Sequence, residues 1–320
     1  QGDKTMPGLE KPSGGAGNLF RETTFTPDNG DANLLVCMDG ADASNVFTDE
    51  IATHTITPIG DAQVDDIIDA YGNTDGVVLL DGNGDGLSAP AHPDFQFDLN
   101  AFTVKCWVRF NSVSGTQVLV ASGGPGSVNY AGWKLVFEGN SGQLLWEYGS
   151  GGNPVLALTR SWSPVVNTWY HVAVCRDSSS NLRMFVDGAV LGATLNDTQD
   201  YALNNGVQIG YHISGNEYAN GWFDDVVVKK GVCDYTETFD VPIVSCNGKS
   251  FSFAVDAGGV EYLHVKTDAS PVTVFLPAAA DFQERTLYVV RHGSNIVTVN
   301  ADNVETMNGQ VGPQIIDGDN

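Results

Sequence analysis

The sequence predicts an all-β protein, built as a two-sheet β-sandwich followed by a smaller β-domain. Short segments of alternating apolar and polar residues recur along the chain, separated by Gly, Asn, Asp or Pro, which is typical of antiparallel strands joined by turns. The chain holds 37 glycines and has no long window rich in Ala, Leu, Glu and Lys that would favour helices. With 42% hydrophobic and 17% charged residues, 320 residues are enough to bury the cores of one large and one small domain.

The N-terminal segment, residues 1–32, is rich in Gly, Pro and Thr and shows little periodicity. This composition predicts an extended arm that becomes ordered against a neighbour, with a disordered tail as the alternative. Residues 33–245 contain one strand-like segment after another, and so many short strands predict a sandwich of two large antiparallel sheets.

Two strand segments of the sandwich give specific local predictions. In "NLRMFVDGAVLG", Asp187-Gly188 separates two alternating runs and predicts a hairpin with a tight turn. In "FTVKCWVRF", residues 102–110, side chains alternate between two faces, so Trp107 and Arg109 share the face opposite the small apolar residues. That face is expected to be partly open.

The C-terminal segment, residues 246–320, again alternates strands and turns, with Pro271 and Pro277 on either side of "VTVFL". Its few large aromatic residues predict a thin core. We therefore expect this domain to pack on the sandwich or on copies of itself, and so to support oligomerisation.

The charge of the chain limits its partners. The formal net charge is −24 at pH 7, and such a surface repels phosphate backbones and anionic membranes. The sequence also has no apolar run of about 18 residues that would span a bilayer. Neither nucleic acid nor a membrane is therefore an expected partner.

The cysteines predict neither a zinc site nor a redox motif, because they are widely spaced and form no C-x-x-C pair. Folding in a reducing cytoplasm is the simpler interpretation. The five residues are Cys37, Cys106, Cys175, Cys233 and Cys246.

The stretch "DGNGDG", residues 81–86, satisfies the first half of the EF-hand calcium-loop pattern. An EF-hand needs a bidentate Glu at position twelve of the loop, because Ca²⁺ takes roughly 6 to 8 oxygen ligands. Position twelve is His92, and the flanking segments resemble strands rather than helices. The stretch is therefore predicted to be the glycine-rich tip of a hairpin.

Catalytic patterns are missing from the sequence. Sandwich glycosidases carry paired carboxylates on alternate residues of one strand, and no E-x-D-x-x-E run occurs. The six histidines are scattered, without a G-x-S-x-G or H-E-x-x-H motif. We therefore expect a protein that is not an enzyme.

The order of these segments resembles the concanavalin A-like, laminin-G-type jelly roll over residues 34 to about 242. It is especially similar to the version found in tail and other virion proteins of tailed bacteriophages. The most specific pieces are Trp169-Tyr170-His171, the run Phe185-Val186-Asp187-Gly188, and the closing segments Asp224-Asp225-Val226, Lys230-Gly231-Val232 and Tyr235-Thr236.

The C-terminal run from "VKTDASPVTVFLPAAADF" to "ETMNG" also resembles small β-domains of phage fibres, which typically trimerise. The two resemblances together imply a virion structural protein, assembled in the host cytoplasm, with other virion proteins and a homotrimer as partners. A capsid decoration or a short tail appendage is favoured over a long fibre, because the sequence lacks repeats and heptads.

Two rival functions remain open at this point. One is a receptor-binding tail protein, an adhesin that recognises host surface glycans. The other, which the missing carboxylate pattern disfavours, is a glycan-degrading enzyme. Glycan binding by the sandwich and release of reducing ends are the observations that distinguish them.

Candidate binding residues follow from the aromatic side chains and from the resemblance. Sugars stack on exposed aromatic rings, and aromatic residues are predicted in loops at Tyr130, Trp162, Tyr211, Tyr218 and Trp222, with packing in the core or an interface as the alternative. The best candidates among them are Trp162 and the pair Tyr211 and Tyr218. Some sandwiches of this type hold a structural Ca²⁺. The resemblance implies Asp81 and Asp85 from the loop and Asp224 from the closing strand as its ligands. Such domains often have an aromatic residue at position 86, where this chain has Gly86.

Overall fold

The computed structural model describes most of residues 31–241 and a set of C-terminal strands. The described ranges are 31–67, 69–70, 76–123, 132–150, 153–203, 205–212, 217–239 and 241, with the backbone alone at 150, at 153–157 and in the strands after residue 259. The predicted N-terminal arm, residues 1–32, lies outside these ranges except for its last two residues.

Eighteen strands form the larger unit and are numbered in chain order. They are β1 Leu34–Val36, β2 Thr57–Ile59, β3 Gln63–Asp65, β4 Val77–Asp81, β5 Gly86–Ala89, β6 Phe102–Phe110, β7 Thr116–Ser122, β8 Gly132–Glu138, β9 Gln143–Ser150, β10 Asn153–Ser161, β11 Trp169–Arg176, β12 Asn181–Val186, β13 Ala189–Val190, β14 Leu195–Asn196, β15 Val207–Ile209, β16 Tyr211–His212, β17 Glu217–Tyr218 and β18 Asn220–Lys230. One 3-10 turn, Pro93–Phe95, follows β5.

Sixteen of these strands form two large antiparallel sheets, and β16 and β17 pair with each other in a small hairpin. The nine-stranded sheet has the order β13-β12-β11-β6-β18-β4-β3, with β1 paired to β18 and β14 paired to β12. The seven-stranded sheet has the order β10-β9-β8-β7-β15-β5-β2. Because sequential strands repeatedly change sheet, as β4 and β5 do, the two sheets form a jelly-roll sandwich, and the predicted all-β sandwich is confirmed.

The core lies between the two sheets and is rich in aromatic side chains. Alternate residues of β6 enter it, beginning with Phe102, while Trp107 and Arg109 fall on the outer face and stay partly exposed, as predicted. Phe97 stacks on Phe102 at 4.5 Å and on Trp133 at 5.0 Å between ring centroids. Fully burying a side chain of this size stabilises the fold by about 1.5–3 kcal/mol.

The predicted hairpin at Asp187-Gly188 is confirmed. Val186 pairs with Ala189, so the two residues between them form a two-residue turn. Their φ angles are 47° and 74°, which is the double left-handed conformation of a type I′ turn.

The prediction of a hairpin at "DGNGDG" is wrong. β4 belongs to the nine-stranded sheet and β5 to the seven-stranded sheet, so residues 82–85 form a corner that carries the chain between the two. Asp85 closes this corner: its Oδ2 accepts from Asp81 N at 3.1 Å and its Oδ1 from Asp61 N at 2.9 Å. Gly82 and Gly84, with φ of 84° and 91°, supply the left-handed backbone that the corner requires.

The cysteines differ in state. Cys106, Cys175 and Cys233 are free thiols, as expected for small buried hydrophobic residues. Cys37 is disulfide-bonded, which differs from the expectation of a fully reduced protein. The remaining cysteine, Cys246, lies outside the described residues.

The C-terminal segment contains seven short strands, and the predicted domain boundary at residue 246 lies outside the described residues. Parallel pairs are formed by β19 with β21 and by β20 with β22, and antiparallel pairs by β22 with β25 and by β23 with β24. The strands are β19 Val260–Lys266, β20 Val272–Phe275, β21 Thr286–His292, β22 Val297–Asn300, β23 Thr306–Met307, β24 Gln310–Val311 and β25 Gln314–Ile316. In the described parts of the chain, no helix is long and apolar enough to cross a membrane.

Candidate functional site

A row of aromatic and cationic side chains crosses the outer face of the nine-stranded sheet. Trp169 of β11 and Trp222 of β18 both pair directly with Arg109 of β6, which lies between them. Directly paired residues of antiparallel strands point to the same face, so the three side chains stand side by side. Trp107, two residues before Arg109, extends this face along β6. We call Trp107, Arg109, Trp169 and Trp222 the tryptophan face.

The rings of the tryptophan face are held in place but remain partly exposed. The Arg109 guanidinium carbon lies 4.9 Å from the centroid of the Trp222 ring, a cation–π contact. Trp222 Nε1 donates to Asp65 Oδ2 at 2.9 Å. Trp107 meets His171 edge to face at 5.3 Å. These contacts fix the orientation of the rings.

This arrangement suits an uncharged polar ligand with flat apolar faces. The CH-bearing face of a sugar packs on an aromatic ring, and hydroxyl oxygens accept hydrogen bonds from a guanidinium. Arg109 Nε is buried and has no hydrogen-bond partner among the described residues, so a ligand would meet the exposed end of the guanidinium instead. Because Trp169 and Trp222 lie two strand spacings apart, about 9.5 Å, the face is long enough for an oligosaccharide.

The sequence predicts part of this face, but the best predicted binding residues come from other segments. The alternation in β6 placed Trp107 and Arg109 together, but the candidate residues were taken from predicted loops. Trp222 lies inside β18, not in a loop, and its cross-strand pairing with Arg109 is a long-range contact. The signal that could have identified this face is the presence of aromatic residues at outward-facing positions of the predicted strands.

Trp162, a predicted sugar-stacking residue, lies in the core. Its side chain is only 9% exposed, and its ring packs against Phe110 at 5.8 Å, Phe137 at 5.3 Å and Tyr170 at 5.3 Å. The position of Trp162 therefore supports a role in core packing rather than in sugar stacking. Tyr130, another predicted residue, lies outside the described residues.

The small hairpin of β16 and β17 brings together two further predicted aromatic residues, Tyr211 and Tyr218. They pair across the strands, with parallel rings 6.2 Å apart. Tyr211 is buried, at 3% exposure, and Tyr218 is partly exposed. A Cβ at Gly86 would lie 2.1 Å from Tyr211 Cδ1. The Tyr211 ring therefore fills the space that a side chain at position 86 would need, which explains the glycine there.

A buried charge network lies beside this hairpin. Lys134 Nζ contacts Glu217 Oε2 at 2.9 Å and Glu147 Oε2 at 3.2 Å. Burial alone would lower the pKa of Lys134, but the two carboxylates raise it above its usual value. Burial, with the charge of Lys134, lowers the pKa of His212 to about 4. The network therefore holds the hairpin with a charged lysine and a neutral histidine at neutral pH.

The structure brings together two of the three predicted calcium ligands. One carboxylate oxygen each of Asp61, Asp81 and Asp85 lies within 4.8 Å of the others. We call these three residues the aspartate cluster. Burial raises the pKa of Asp85 to about 6, against the lowering effect of its backbone hydrogen bonds. Oxygen ligands from three carboxylates are what Ca²⁺ prefers, and the cation would favour the ionised form of Asp85.

The prediction that Asp224 completes this group is wrong. Asp224 pairs with Trp107 on β6, whereas Asn220, four residues earlier on the same strand, pairs with Asp81. Four residues of strand span about 13 Å, so Asp224 is remote from the cluster. The third carboxylate is Asp61, which sequence reasoning missed because it comes from the separate turn before β3.

Residues 81–237 match the sequence profile described as the concanavalin A-like lectin/glucanases superfamily, of the laminin G type. A comparison with curated protein sequences gave no match.

Solved structures with a similar arrangement include clostridial binding domains. One is the receptor binding domain of the botulinum neurotoxin C/D mosaic serotype, with 16% identity, a TM-score of 0.48, and coverage of 64% of this chain and 49% of that one. Another is the binding domain of Paraclostridial Mosquitocidal Protein 1, with 13% identity, a TM-score of 0.49, and coverage of 65% and 50%. The chain thus spans about half the length of these structures. The profile match over residues 81–237 and the two-sheet architecture confirm the predicted fold class, a concanavalin A-like sandwich of the laminin G type.

Proposed function

We propose that the sandwich is a non-enzymatic glycan-binding module whose ligand lies on the tryptophan face. The observation that carries this proposal is the row Trp169, Arg109 and Trp222, which is partly exposed on three adjacent strands. Aromatic and arginine side chains of this kind dominate the energetics of binding sites.

The charge of the protein indicates the class of glycan. A net charge of −24 repels polyanionic chains that come within about one Debye length of the surface. Arg109 offers one local cation, and its charge already lies over the Trp222 ring. The proposed ligand is therefore a neutral oligosaccharide that stacks on the rings.

Two carboxylates border this face, and their surroundings favour binding without catalysis: Asp224, which pairs with Trp107 on β6, is only 2% exposed, and Asp65 is engaged with Trp222. Asp65 accepts a hydrogen bond from Trp222 Nε1 and so holds the ring. Glycoside hydrolysis requires two carboxyl groups on either side of one bond, about 5–10 Å apart. An assay for released reducing ends, run on each glycan that binds, tests the non-enzymatic part of the proposal.

The setting proposed for this module is the surface of a tailed-phage virion. Its support is the sequence resemblance of the sandwich and of the C-terminal segment to virion proteins. The sandwich would project from a capsid or short tail appendage, in contact with other virion proteins, and the C-terminal domain would hold a homotrimer. Immunogold labelling of purified particles tests this setting: label on the particle surface supports it, and particles free of label refute it.

The binding test compares two aromatic sites on the same chain. The full chain and the variants Trp222→Ala, Trp169→Ala and Tyr218→Ala are applied to an array of neutral glycans, and any binder is then titrated by calorimetry. We expect either tryptophan substitution to weaken binding about 10-fold or more, since an important contact contributes at least about 1–2 kcal/mol.

Tyr218→Ala is the matched control, because it removes a partly exposed aromatic ring from the β16–β17 hairpin, outside the nine-stranded sheet. Unchanged affinity in this variant supports the tryptophan face. Loss of binding in Tyr218→Ala with normal binding in both tryptophan variants would move the site to the hairpin. No binder on the array at high protein concentration would favour a purely architectural role.

A further inference from the structure

A second cluster of ligand-type side chains lies apart from both the tryptophan face and the aspartate cluster. It consists of His54, from the loop before β2, and of His92 and Asp94, from the 3-10 turn after β5. One nitrogen or oxygen atom of each lies within 4.8 Å of the others. Two imidazoles and a carboxylate are ligands that Zn²⁺ and related divalent metals accept.

The loop that carries His54 is held rigidly by Asp49, which is 2% exposed. Asp49 Oδ2 accepts from His54 N at 2.9 Å and from Thr53 N at 3.1 Å, and its Oδ1 accepts from Leu35 N at 3.1 Å. The bridge between Thr48 and Thr55 closes the loop. The position of the His54 backbone is therefore fixed before any ligand binds.

The second half of the cluster is equally constrained. His92 caps the turn, with Nδ1 accepting from Asp94 N at 3.4 Å, and Pro93 occupies the first turn position. The His54 ring packs over Phe95 at 4.7 Å and meets the His92 ring edge to face at 4.8 Å. The His54 side chain is 2% exposed and that of His92 43%, so the cluster has one buried and one open side.

The distances between donor atoms match those of a tetrahedral metal site. Asp94 Oδ2 lies 3.3 Å from His54 Nε2 and 3.0 Å from His92 Nδ1. Zn²⁺ binds nitrogen and oxygen at about 2.0–2.1 Å, so two ligands at a tetrahedral angle lie about 3.3–3.4 Å apart. These two separations are within a few tenths of an ångström of that value.

Counting protons shows that neutral side chains cannot satisfy every contact in the cluster. His54 Nε2 faces both Asp94 Oδ2 and the Asn33 carbonyl oxygen, at 3.3 and 3.0 Å, but carries at most one proton. His92 Nδ1 accepts from Asp94 N and also faces Asp94 Oδ2. As an acceptor, this nitrogen has no proton to give to the carboxylate. A cation bound between His54 Nε2, His92 Nδ1 and Asp94 Oδ2 satisfies these three atoms without a proton, and the Asn33 carbonyl oxygen then loses its imidazole donor.

We propose that His54 Nε2, His92 Nδ1 and Asp94 Oδ2 bind a Zn²⁺ ion, which joins the loop before β2 to the turn after β5. The open side of the cluster leaves the fourth position to water. The site selects a transition metal over Ca²⁺, because Ca²⁺ takes oxygen ligands whereas imidazole suits Zn²⁺. The bound ion adds a link between two segments whose adjoining strands, β2 and β5, are already paired.

The test uses the tag-free full chain after removal of metals by chelation. Zn²⁺ is titrated by calorimetry, and Co²⁺ serves as a spectroscopic probe whose visible absorption reports a tetrahedral nitrogen and oxygen site. We expect one equivalent per chain and a rise in melting temperature with excess Zn²⁺. We further expect His92→Ala and Asp94→Asn each to weaken binding by about 10-fold or more, as loss of supporting contacts alone does at metal sites.

Asp81→Asn is the matched control, because it removes a carboxylate from the aspartate cluster, and its Zn²⁺ affinity should equal that of the wild type. His92 is largely exposed, so His92→Ala should fold normally, which its circular dichroism and its melting temperature without metal verify. Unchanged Zn²⁺ affinity in folded His92→Ala and Asp94→Asn would overturn the proposal. A strong thiolate-to-cobalt absorption band, which reports binding at cysteine, or equal affinity for Ca²⁺ and Zn²⁺ would also overturn it.

Discussion

Gly86 offers the sharpest test of how the tyrosine hairpin packs on the sandwich. A Cβ added at this position would lie 2.1 Å from Tyr211 Cδ1, 2.8 Å from Tyr211 Cγ and 2.9 Å from the Ile209 carbonyl oxygen. Real Cβ atoms do not approach other heavy atoms so closely, so the ring must move. Tyr211 is 3% exposed and stacked on Tyr218, and moving it would disturb buried contacts.

The expected cost of Gly86→Ala follows from this collision. Adding one carbon to a well-packed site costs about 1–3 kcal/mol, and the closeness of three contacts places this change near the upper end. Such a loss lowers the melting temperature by roughly 4–10 °C in a domain of this size. Equilibrium unfolding in urea, followed by tryptophan fluorescence, measures the loss in the sandwich, because all six tryptophans lie between Trp107 and Trp222.

A double-mutant cycle separates the clash from other effects of the substitution. In a Tyr211→Ala background the ring is gone, so Gly86→Ala should cost little, which gives a coupling of about 1–3 kcal/mol. Additive effects of Gly86→Ala and Tyr211→Ala, within about 0.5 kcal/mol, would refute the packing described for position 86.

Four further predictions concern charge, calcium and assembly. The pKa of Asp85 is raised from 3.8 to about 6. The stability that protonated Asp85 contributes is therefore fully present below about pH 4 and is lost as the pH rises through about 6. In urea unfolding, the wild type should lose stability relative to Asp85→Asn over that pH range. Asp177 behaves oppositely, because hydrogen bonds from Asn181 and Arg183 outweigh burial and lower its pKa to about 2; its contribution is present above about 4 and is lost as the pH falls through about 2. Ca²⁺ added to chelated protein should raise the melting temperature in the wild type and in Asp224→Asn but much less in Asp81→Asn, and an unchanged wild-type midpoint would exclude the calcium site. Light scattering of the full chain should give three times the chain mass, and a monomer at micromolar concentration would refute the trimer.

The sandwich could be predicted because its signals are local. In β6 the two-residue period alone assigns Phe102 to the core and Trp107 to the outer face. At Asp187-Gly188 the two residue types favour positive φ, so the turn and the register of its strands follow from four adjacent residues. Neither conclusion requires knowledge of distant parts of the chain.

The errors arose where a distant partner decides the outcome. The glycines of "DGNGDG" permit a hairpin and a corner equally well, and β4 and β5 form a corner because each pairs with strands far away in sequence. Trp162 and Trp222 are similar by residue type, but Phe110 and Phe137 cover the first, whereas the second stands at the outer face beside Arg109. Composition and periodicity contain no information about these contacts.

The location of the tryptophan face separates its role in binding from its role in folding. Its residues lie on β11, β6 and β18, which are adjacent and are each paired on both sides within the nine-stranded sheet. Sites built on such strands are held more precisely than sites on short hairpins such as β16 and β17. Because the backbone and the rings are already ordered, a ligand loses little conformational freedom of the protein on binding. The rings are also partly exposed, so Trp222→Ala should reduce glycan affinity far more than it reduces the free energy of unfolding. Gly86→Ala should do the opposite.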